Sequence, residues 1–480
     1  MSEGSAWDWP EDELERVGAR VARMIAAYLS ELPEQPVWQP VPEWVAASFQ
    51  GEPAPMAGTP AEAILDEFET LVAPFPFGQG HPRFYGWVNS PPDPLGVFGA
   101  ALAAAMNPSC AGGDHAALHV ERQVIAWLNE LLGLPTDGAG LLVSGGSAAT
   151  LTALAAARHA KAGWDVREEG LQSGPTPVVV YAGEEGHSAI RRAVELLGIG
   201  RRNLRLIPVD RDYRLDVTAL ERAVEQDLAG GLRPIAVAAS AGTVNTGAID
   251  PLGPIAELCR AHGLWLHVDG AYGAPAVLTG RYRAELEPLA LADSVAVDPH
   301  KWLYVPIDAG AVLVRDVNAL QAAFSVVPAY IREEGGEPWL SELGLEQTRP
   351  FRALRVWMAL KCHGLAGYAR LIEHDLELAD RLSERINASE RLELVARGLS
   401  IVCFRYVPPG LSGAGLDELN RMLLSEVQHS GEAFCSGTVL PGAGFVLRAC
   451  IVNPRASEAD VERLAEIVVE IGDQLSGTTP

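Results

Sequence analysis

Lys301 stands in the stretch DPHKW, which follows an apolar run, Ser294 to Val297, that reads as a short buried strand. Burying an ammonium is costly unless a neighbour neutralises it or chemistry uses it. A desolvated lysine amine at a strand end can form a Schiff base with a carbonyl. Taken singly, a lysine is far more often a surface residue. A second stretch, LWLHVDGAYG, closes an apolar run on Asp269. A carboxylate there either meets a cationic partner or merely caps a turn. A third, VSGGSAATLTAL, places Gly145, Gly146 and Ser147 between an apolar strand and a helix. Free N–H groups at a helix start attract phosphate, and glycine lets the anion come close. That turn matches neither a Walker loop nor GxGxxG, so alone it is a weak signal. His187, in GEEGHSAI, heads a further helix and reads equally as a stacking imidazole or an exposed cap.

The combination is more specific than its parts. An anion cradle, a buried carboxylate and a strand-end amine follow one another along the chain. Pyridoxal phosphate needs those three: a phosphate site, a carboxylate that keeps the pyridine nitrogen protonated, and an amine for the aldehyde.

The elements that would position these residues are βα repeats. From about Gly138 short apolar strands alternate with amphipathic helices: GLLVSGG, PVVVYAG, LRLIPVD, IAVAASAGT and LWLHVDGAYG each end a strand. Such repeats build a mainly parallel sheet covered on both faces, with chemistry at the carboxyl ends of the strands. Upstream, Glu11 to Leu32 and Ala61 to Val72 have helical apolar spacing, and PEQPVWQPVPEW between them is too rich in proline for helix. After Arg349 a long helical stretch, strands near LELVAR, SIVCFRYV and FVLRACIV, and a helix from Ala459 to Leu475 read as a smaller α+β domain. The expected division is an arm over residues 1–84, a coenzyme domain over 85–360 and a small domain over 361–480.

Bulk properties narrow the partners. A net charge of -25 argues against nucleic acid and anionic membrane surfaces. The cysteines, 6 in all, form no CxxC pair and suit a reducing cytoplasm. The first residues, MSEGSAWDWPEDELERV, show no apolar signal core, and no apolar run approaches a bilayer span. There is no GxSxG elbow. His115 and His119 share a helical face without an evident third ligand, so no metal is expected.

The set HPRFYGW, GGSAATL, GHSAIRRA, ASAGTVNTGAIDP, LWLHVDGAYG, DPHKWLYVP and RPFRALRVW resembles the group II pyridoxal-phosphate-dependent amino-acid decarboxylases, typified by aromatic-L-amino-acid decarboxylase. The resemblance covers nearly the whole chain. It implies an α/β fold of the aspartate-aminotransferase type, fold type I, and a homodimer with sites at the interface. It also implies decarboxylation of a small-molecule L-amino acid, with aromatic acids leading and acidic or small ones as alternatives. By the same resemblance Lys301 carries the coenzyme, Asp269 partners its ring nitrogen and His187 stacks on the ring. Gly146, Ser147 and His300 lie at the phosphate, Thr243 beneath the ring, and Tyr330 on a loop over the site. In similar aldehyde synthases phenylalanine replaces that tyrosine, so Tyr330 favours simple decarboxylation. Many relatives have Asn where this chain has Asp298. An ionised carboxylate would repel a phosphate unless hydrogen-bonded elsewhere, so Asp298 is not counted as a phosphate ligand.

Overall fold

The computed structural model describes residues 9–326 and 338–477. Tyr330 lies outside the described residues.

The arm begins with helix Glu11–Glu31, whose first turn carries Glu11, Asp12 and Glu13 against the helix dipole. Arg20 ties it to the second predicted helix through Asp66 and Glu69, each at 2.6 Å. That second helix is α-helical over Ala61–Glu67 and widens to a π turn over Phe68–Val72. After a 3-10 turn over Leu32–Glu34, the proline-rich link is free of helix only as far as Pro42. A helix, Glu43–Gly51, starts at the end of the stretch read as extended, because Pro42 sits at its N-cap rather than inside it.

Among the described residues twelve strands follow in chain order. They are β1 (Phe84–Tyr85), β2 (Ala139–Val143), β3 (Val178–Gly183), β4 (Leu204–Ile207), β5 (Arg233–Ser240) and β6 (Trp265–Asp269). The rest are β7 (Ser294–Val297), β8 (Gly310–Val314), β9 (Leu392–Gly398), β10 (Ile401–Tyr406), β11 (Phe434–Leu440) and β12 (Gly444–Cys450). The larger sheet has 7 strands in the order β2-β8-β7-β6-β5-β3-β4. All are parallel except β8, which runs antiparallel to β2 and β7. Strands β2, β3, β7 and β8 are buried from end to end because helices cover both faces, which is why they read as continuous apolar runs; the edge strand β4 leaves Leu206 exposed. The fold is α/β, as expected.

The smaller sheet has 5 strands in the order β1-β11-β12-β10-β9. β1, from the end of the arm, joins it parallel to β11. β11 itself, FCSGTVL, escaped the sequence reading because its small polar residues blur the pattern. Helix Ala353–Asn387 connects the two sheets and is interrupted at Gly364, whose φ of 62° a glycine adopts without a Cβ penalty.

Candidate active site

The register of the large sheet sets the site. Val143 lies opposite Gly310, Ala296 opposite Asp269, and Asp269 opposite Ser240. The ends of β2, β3, β5, β6 and β7 therefore form one edge, and the loops leaving it surround a cavity of about 530 Å³. Gly146, Ser147, His187, Thr243, Asp269, His300 and Lys301 all line it. Residues spread over half the chain meet because a parallel sheet brings every strand end to the same side.

One end of the cavity is built for an anion. Helix Gly146–Lys161 starts there with Gly145 at its N-cap. A Cβ on Gly145 would lie 3.2 Å from His300 Cε1, and one on Gly146 would lie 3.0 Å from Ala271 Cβ. The glycines thus leave room at the turn where a side chain would be tightly crowded. His300 Nδ1 accepts a hydrogen bond from Ala309 N–H at 3.1 Å. A neutral His300 then carries its proton on Nε2, as a donor. Burial pushes its pKa down, against the pull of Asp298, so the neutral form is favoured.

The strand feeding this turn is held from below. Glu121 and Arg349 are both buried and meet at 2.5 Å. Glu121 also accepts from Leu142 N–H at 3.0 Å, and Arg349 donates to the Leu142 carbonyl at 2.7 Å. Leu142 lies in β2, just before the glycines. Sequence reading missed this pair because its partners lie far apart in the chain.

Beside this turn, Lys301 Nζ sits 2.9 Å from Asp298 Oδ2. Burial would lower the amine's pKa, but Asp298 and then Asp269 outweigh it and hold the amine above its ordinary range. The neighbouring Trp302 is fully buried and stacks on Tyr272 with centroids 4.9 Å apart. Trp302 Nε1 and the Tyr304 hydroxyl donate to Asp375 at 2.8 and 2.7 Å. Tyr304 takes a left-handed φ of 53°, a conformation costly for a bulky residue unless its surroundings fix it. Asp375 comes from the long connecting helix, so that helix braces the lysine loop. Burial pushes the Asp375 pKa up to about 7, against three hydrogen bonds that favour the carboxylate.

The remaining side chains complete the walls. His187 Nδ1 accepts from Ala189 N–H at 3.1 Å, and burial lowers its pKa, so it too is a neutral ring with its proton on Nε2. Asp269 accepts from Ala271 N–H at 3.2 Å and keeps an open face to the cavity. The Thr243 hydroxyl is buried and accepts from Ala248 N–H at 3.0 Å. Trp87 and Arg448 also line the cavity. Arg448 donates to the carbonyls of Val244 and Trp87, at 3.0 and 2.8 Å. Among the described residues lining the cavity, the buried side-chain atoms without a partner are Arg448 Nη2 and Asp298 Oδ1. Arg448 had a sequence signal: a guanidinium inside the buried run FVLRACIV must point at something polar.

These groups fit pyridoxal phosphate. The helix start with glycines and a neutral His300 suits the phosphate, Lys301 the aldehyde, and Asp269 the pyridine nitrogen.

The profile of the pyridoxal-dependent decarboxylase conserved domain matches residues 46–407. The chain belongs to the pyridoxal-dependent decarboxylase family. It is 33% identical over 477 residues to the aromatic-L-amino-acid decarboxylase of Bacillus atrophaeus, covering 98% of this chain and 97% of that protein. It is 29% identical to a phenylacetaldehyde synthase of Arabidopsis thaliana, covering 96% of each. Among solved structures, Oryza sativa TDC with PLP and tryptamine superposes with a TM-score of 0.91 at 27% identity, covering 98% of this chain and 100% of that one. Mouse CSAD superposes with a TM-score of 0.90 at 26% identity, covering 97% and 99%. The protein is a pyridoxal-phosphate-dependent amino-acid decarboxylase of fold type I. Among the described residues no helix is long and apolar enough to cross a membrane.

Proposed function

We propose that the enzyme decarboxylates an aromatic L-amino acid to its amine, as a homodimer, with Lys301, Asp269, His187, His300, Thr243, Gly146, Ser147 and Tyr330 in the roles the resemblance implies. The observation that carries the site assignment is the convergence of Lys301, Asp269, His187 and the Gly145–Ser147 helix start on one cavity. Bound there, pyridoxal phosphate supplies an electron sink conjugated to the substrate's amino nitrogen.

The protein's part follows from its geometry. Lys301 offers the amine that attaches the coenzyme, and Asp298 receives that amine whenever it is free. Asp269 holds a proton at the ring nitrogen by its negative charge. His187, kept neutral by burial, can lie flat against an aromatic face without adding a second positive charge. The helix start and His300 Nε2–H would hold the phosphate. By the resemblance, Tyr330, which lies outside the described residues, would supply a proton to the substrate's Cα.

Aromatic specificity is supported by Trp87, which lines the cavity and packs with Phe77 and Phe434 at centroid distances of 5.1 and 5.6 Å. It is supported too by the named activities of the relatives above. Arg448 Nη2 offers a buried donor for an anionic group of the substrate.

The dimer is supported by the arm and by helix Pro94–Met106. Leu95, Phe98, Leu102 and Met106 form an exposed apolar stripe along that helix. Val21, Tyr28, Phe68 and Val72 of the arm are also exposed, beside an apolar groove of about 850 Å³. So much uncovered apolar surface in one region marks an association face. The thiols, all free, suit the cytoplasm.

The test is carbon dioxide release from a panel of amino acids, with borohydride fixation and peptide mapping of the coenzyme. Release from aromatic acids with the label on Lys301 is expected. Release only from acidic or small amino acids overturns the substrate reading, and a label on another lysine overturns the site.

A further inference from the structure

Two loops at the cavity edge carry the side chains assigned to the two faces of the coenzyme ring. One leaves β3 in a turn closed by Gly186 N–H on the Gly183 carbonyl, at 2.9 Å, and ends on His187. The other leaves β5 and runs from Thr243 to Ala248. Its backbone closes on itself, with Gly247 N–H on the Thr243 carbonyl at 2.9 Å and Thr243 N–H on the Ala248 carbonyl at 2.8 Å. β3 and β5 are neighbours, but their ladder ends at Ala182 and Ala238. Beyond it the loops are joined through side chains: Asn245 Nδ2 donates to Glu185 Oε2 at 2.8 Å.

Glu185 is buried, at 7% exposure. Burial raises its pKa, the Asn245 donor lowers it, and the neighbouring Glu184 raises it. Tyr213 and Cys403 also feel its charge. Asn245 is held from the far side. Thr438 of β11 donates to its Oδ1 at 2.7 Å, so the amide turns Nδ2 toward Glu185. The Asn245 carbonyl accepts from Arg448 Nε at 3.1 Å and from the Cys403 thiol at 3.3 Å. Asn245 therefore links both loops to the smaller sheet, and it lines the cavity. Two closed turns joined by one bond have one soft coordinate between them, the gap from His187 to Thr243. A coenzyme ring must fit that gap.

Resting on the coenzyme site proposed above, we propose that Glu185 and Asn245 are positioning residues whose hydrogen bond sets the gap between His187 and Thr243, and with it the fit of the coenzyme ring. The pair acts through those two side chains and not on the substrate. The carboxylate is the acceptor and the amide the donor, and Thr438 keeps that polarity.

The test reads pyridoxal phosphate affinity and the visible circular dichroism of the bound coenzyme in the full-length enzyme. Each variant is taken as a ratio to wild type at the same pH, so that titration of Lys301, His187 and the coenzyme cancels. Asn245→Asp sets two carboxyls in contact. Near about pH 6 they share a proton and keep the bond; near about pH 9 both ionise and repel, so the affinity ratio should fall by about tenfold between the two. Asn245→Ala, which has no donor, should lose about tenfold at both. Asn245→Asp combined with Glu185→Gln restores the bond with donor and acceptor exchanged, and the introduced carboxylate still accepts from Thr438. This double variant should recover most of the affinity and the dichroism at both pH values. An Asn245→Asp ratio that does not vary with pH, or a double variant that recovers nothing, overturns the proposal. A lowered Tm of the coenzyme-free variants with unchanged affinity and dichroism shows a bond that only holds the fold, and overturns it too. If borohydride fixes the wild-type coenzyme on a lysine other than Lys301, the site reading falls and this proposal with it. If the label is on Lys301 and the variants match wild type, this proposal alone falls.

Discussion

Removing the charge of Glu121 is expected to loosen the phosphate turn without touching the cavity. Glu121→Gln keeps the shape but leaves the Arg349 guanidinium buried without its full counter-ion. Breaking a buried pair from one side costs about 3–5 kcal/mol, because the surviving charge stays desolvated. The carbonyls of Leu142 and Cys110 still accept from Arg349, at 2.7 and 3.0 Å, and the partly exposed Glu346 stands 3.9 Å away. These soften the loss, so the lower end, about 3 kcal/mol, is expected. Unfolding entropy scales as about 2.1 cal/mol/K per residue, which for a chain this long makes each kcal/mol worth about 1 °C in Tm. Calorimetry should therefore show a fall of roughly 3 °C. Arg349→Met should cost as much, while Glu121→Leu with Arg349→Met should cost much less than the two single losses combined, since no buried charge then remains unpaired. Because the pair grips Leu142 from both sides, coenzyme affinity in the single variants should fall by about tenfold, equivalent to about 1.4 kcal/mol, while the fold is still intact. Glu121→Gln with unchanged Tm and unchanged coenzyme affinity would refute the idea that this pair positions the turn.

Four further outcomes are expected. Asp269→Asn should lower the decarboxylation rate by at least ~10²-fold, since it removes the charge that holds the ring-nitrogen proton; a native rate removes Asp269 from that role. Tyr330→Phe should still release carbon dioxide but divert part of the product to aldehyde, ammonia and peroxide; an unchanged amine yield and rate shows that the phenol is not the proton donor. Phe68→Glu with Leu102→Glu, two exposed apolar positions on the arm and its neighbouring helix, should shift sedimentation from dimer toward monomer; an unaltered dimer places the interface elsewhere. His267 is fully buried between Ser294 and Thr150, and burial lowers its pKa to about 4. The unfolded chain takes up its proton below about pH 6.5 and the fold does not, so this histidine's contribution to stability is present above that pH and lost toward pH 4, at up to ~1.4 kcal/mol per unit. The raised carboxyls of Asp250 and Asp375, near 6 and 7, act in the opposite sense. The difference between wild type and His267→Gln in urea unfolding at pH 5 and pH 7 isolates the histidine, and an equal difference at both pH values contradicts the assignment.

Much of this molecule is legible in its sequence. The βα repeats are legible because the inner strands of the large sheet are buried on both faces and are mainly apolar, while each covering helix needs to be apolar on one side only. Lys301, Asp269 and Gly145–Ser147, which line the cavity, stood out in the sequence because polar residues at the ends of apolar runs are costly and therefore informative. Local spacing also placed the arm's first helix, Glu11–Glu31, nearly to the residue. Where local patterning was weak the reading failed: β11 carries Ser436, Gly437 and Thr438, and β1 is only two residues long, so neither announces itself.

What the chain alone determined was which chemical groups stand at strand ends and in what order, since those depend on residue type and on local apolar periodicity. What only the tertiary structure decided was which groups face one another. Lys301 meets Asp298 rather than Asp269 at 2.9 Å, Asp375 braces Trp302 and Tyr304 from a distant helix, and Glu121 with Arg349 clamps the strand beneath the glycines. Those contacts are set by strand order, register and the packing of helices against the sheet. No spacing in the linear sequence encodes them, because the energy that selects them is shared among residues brought together only when the core closes.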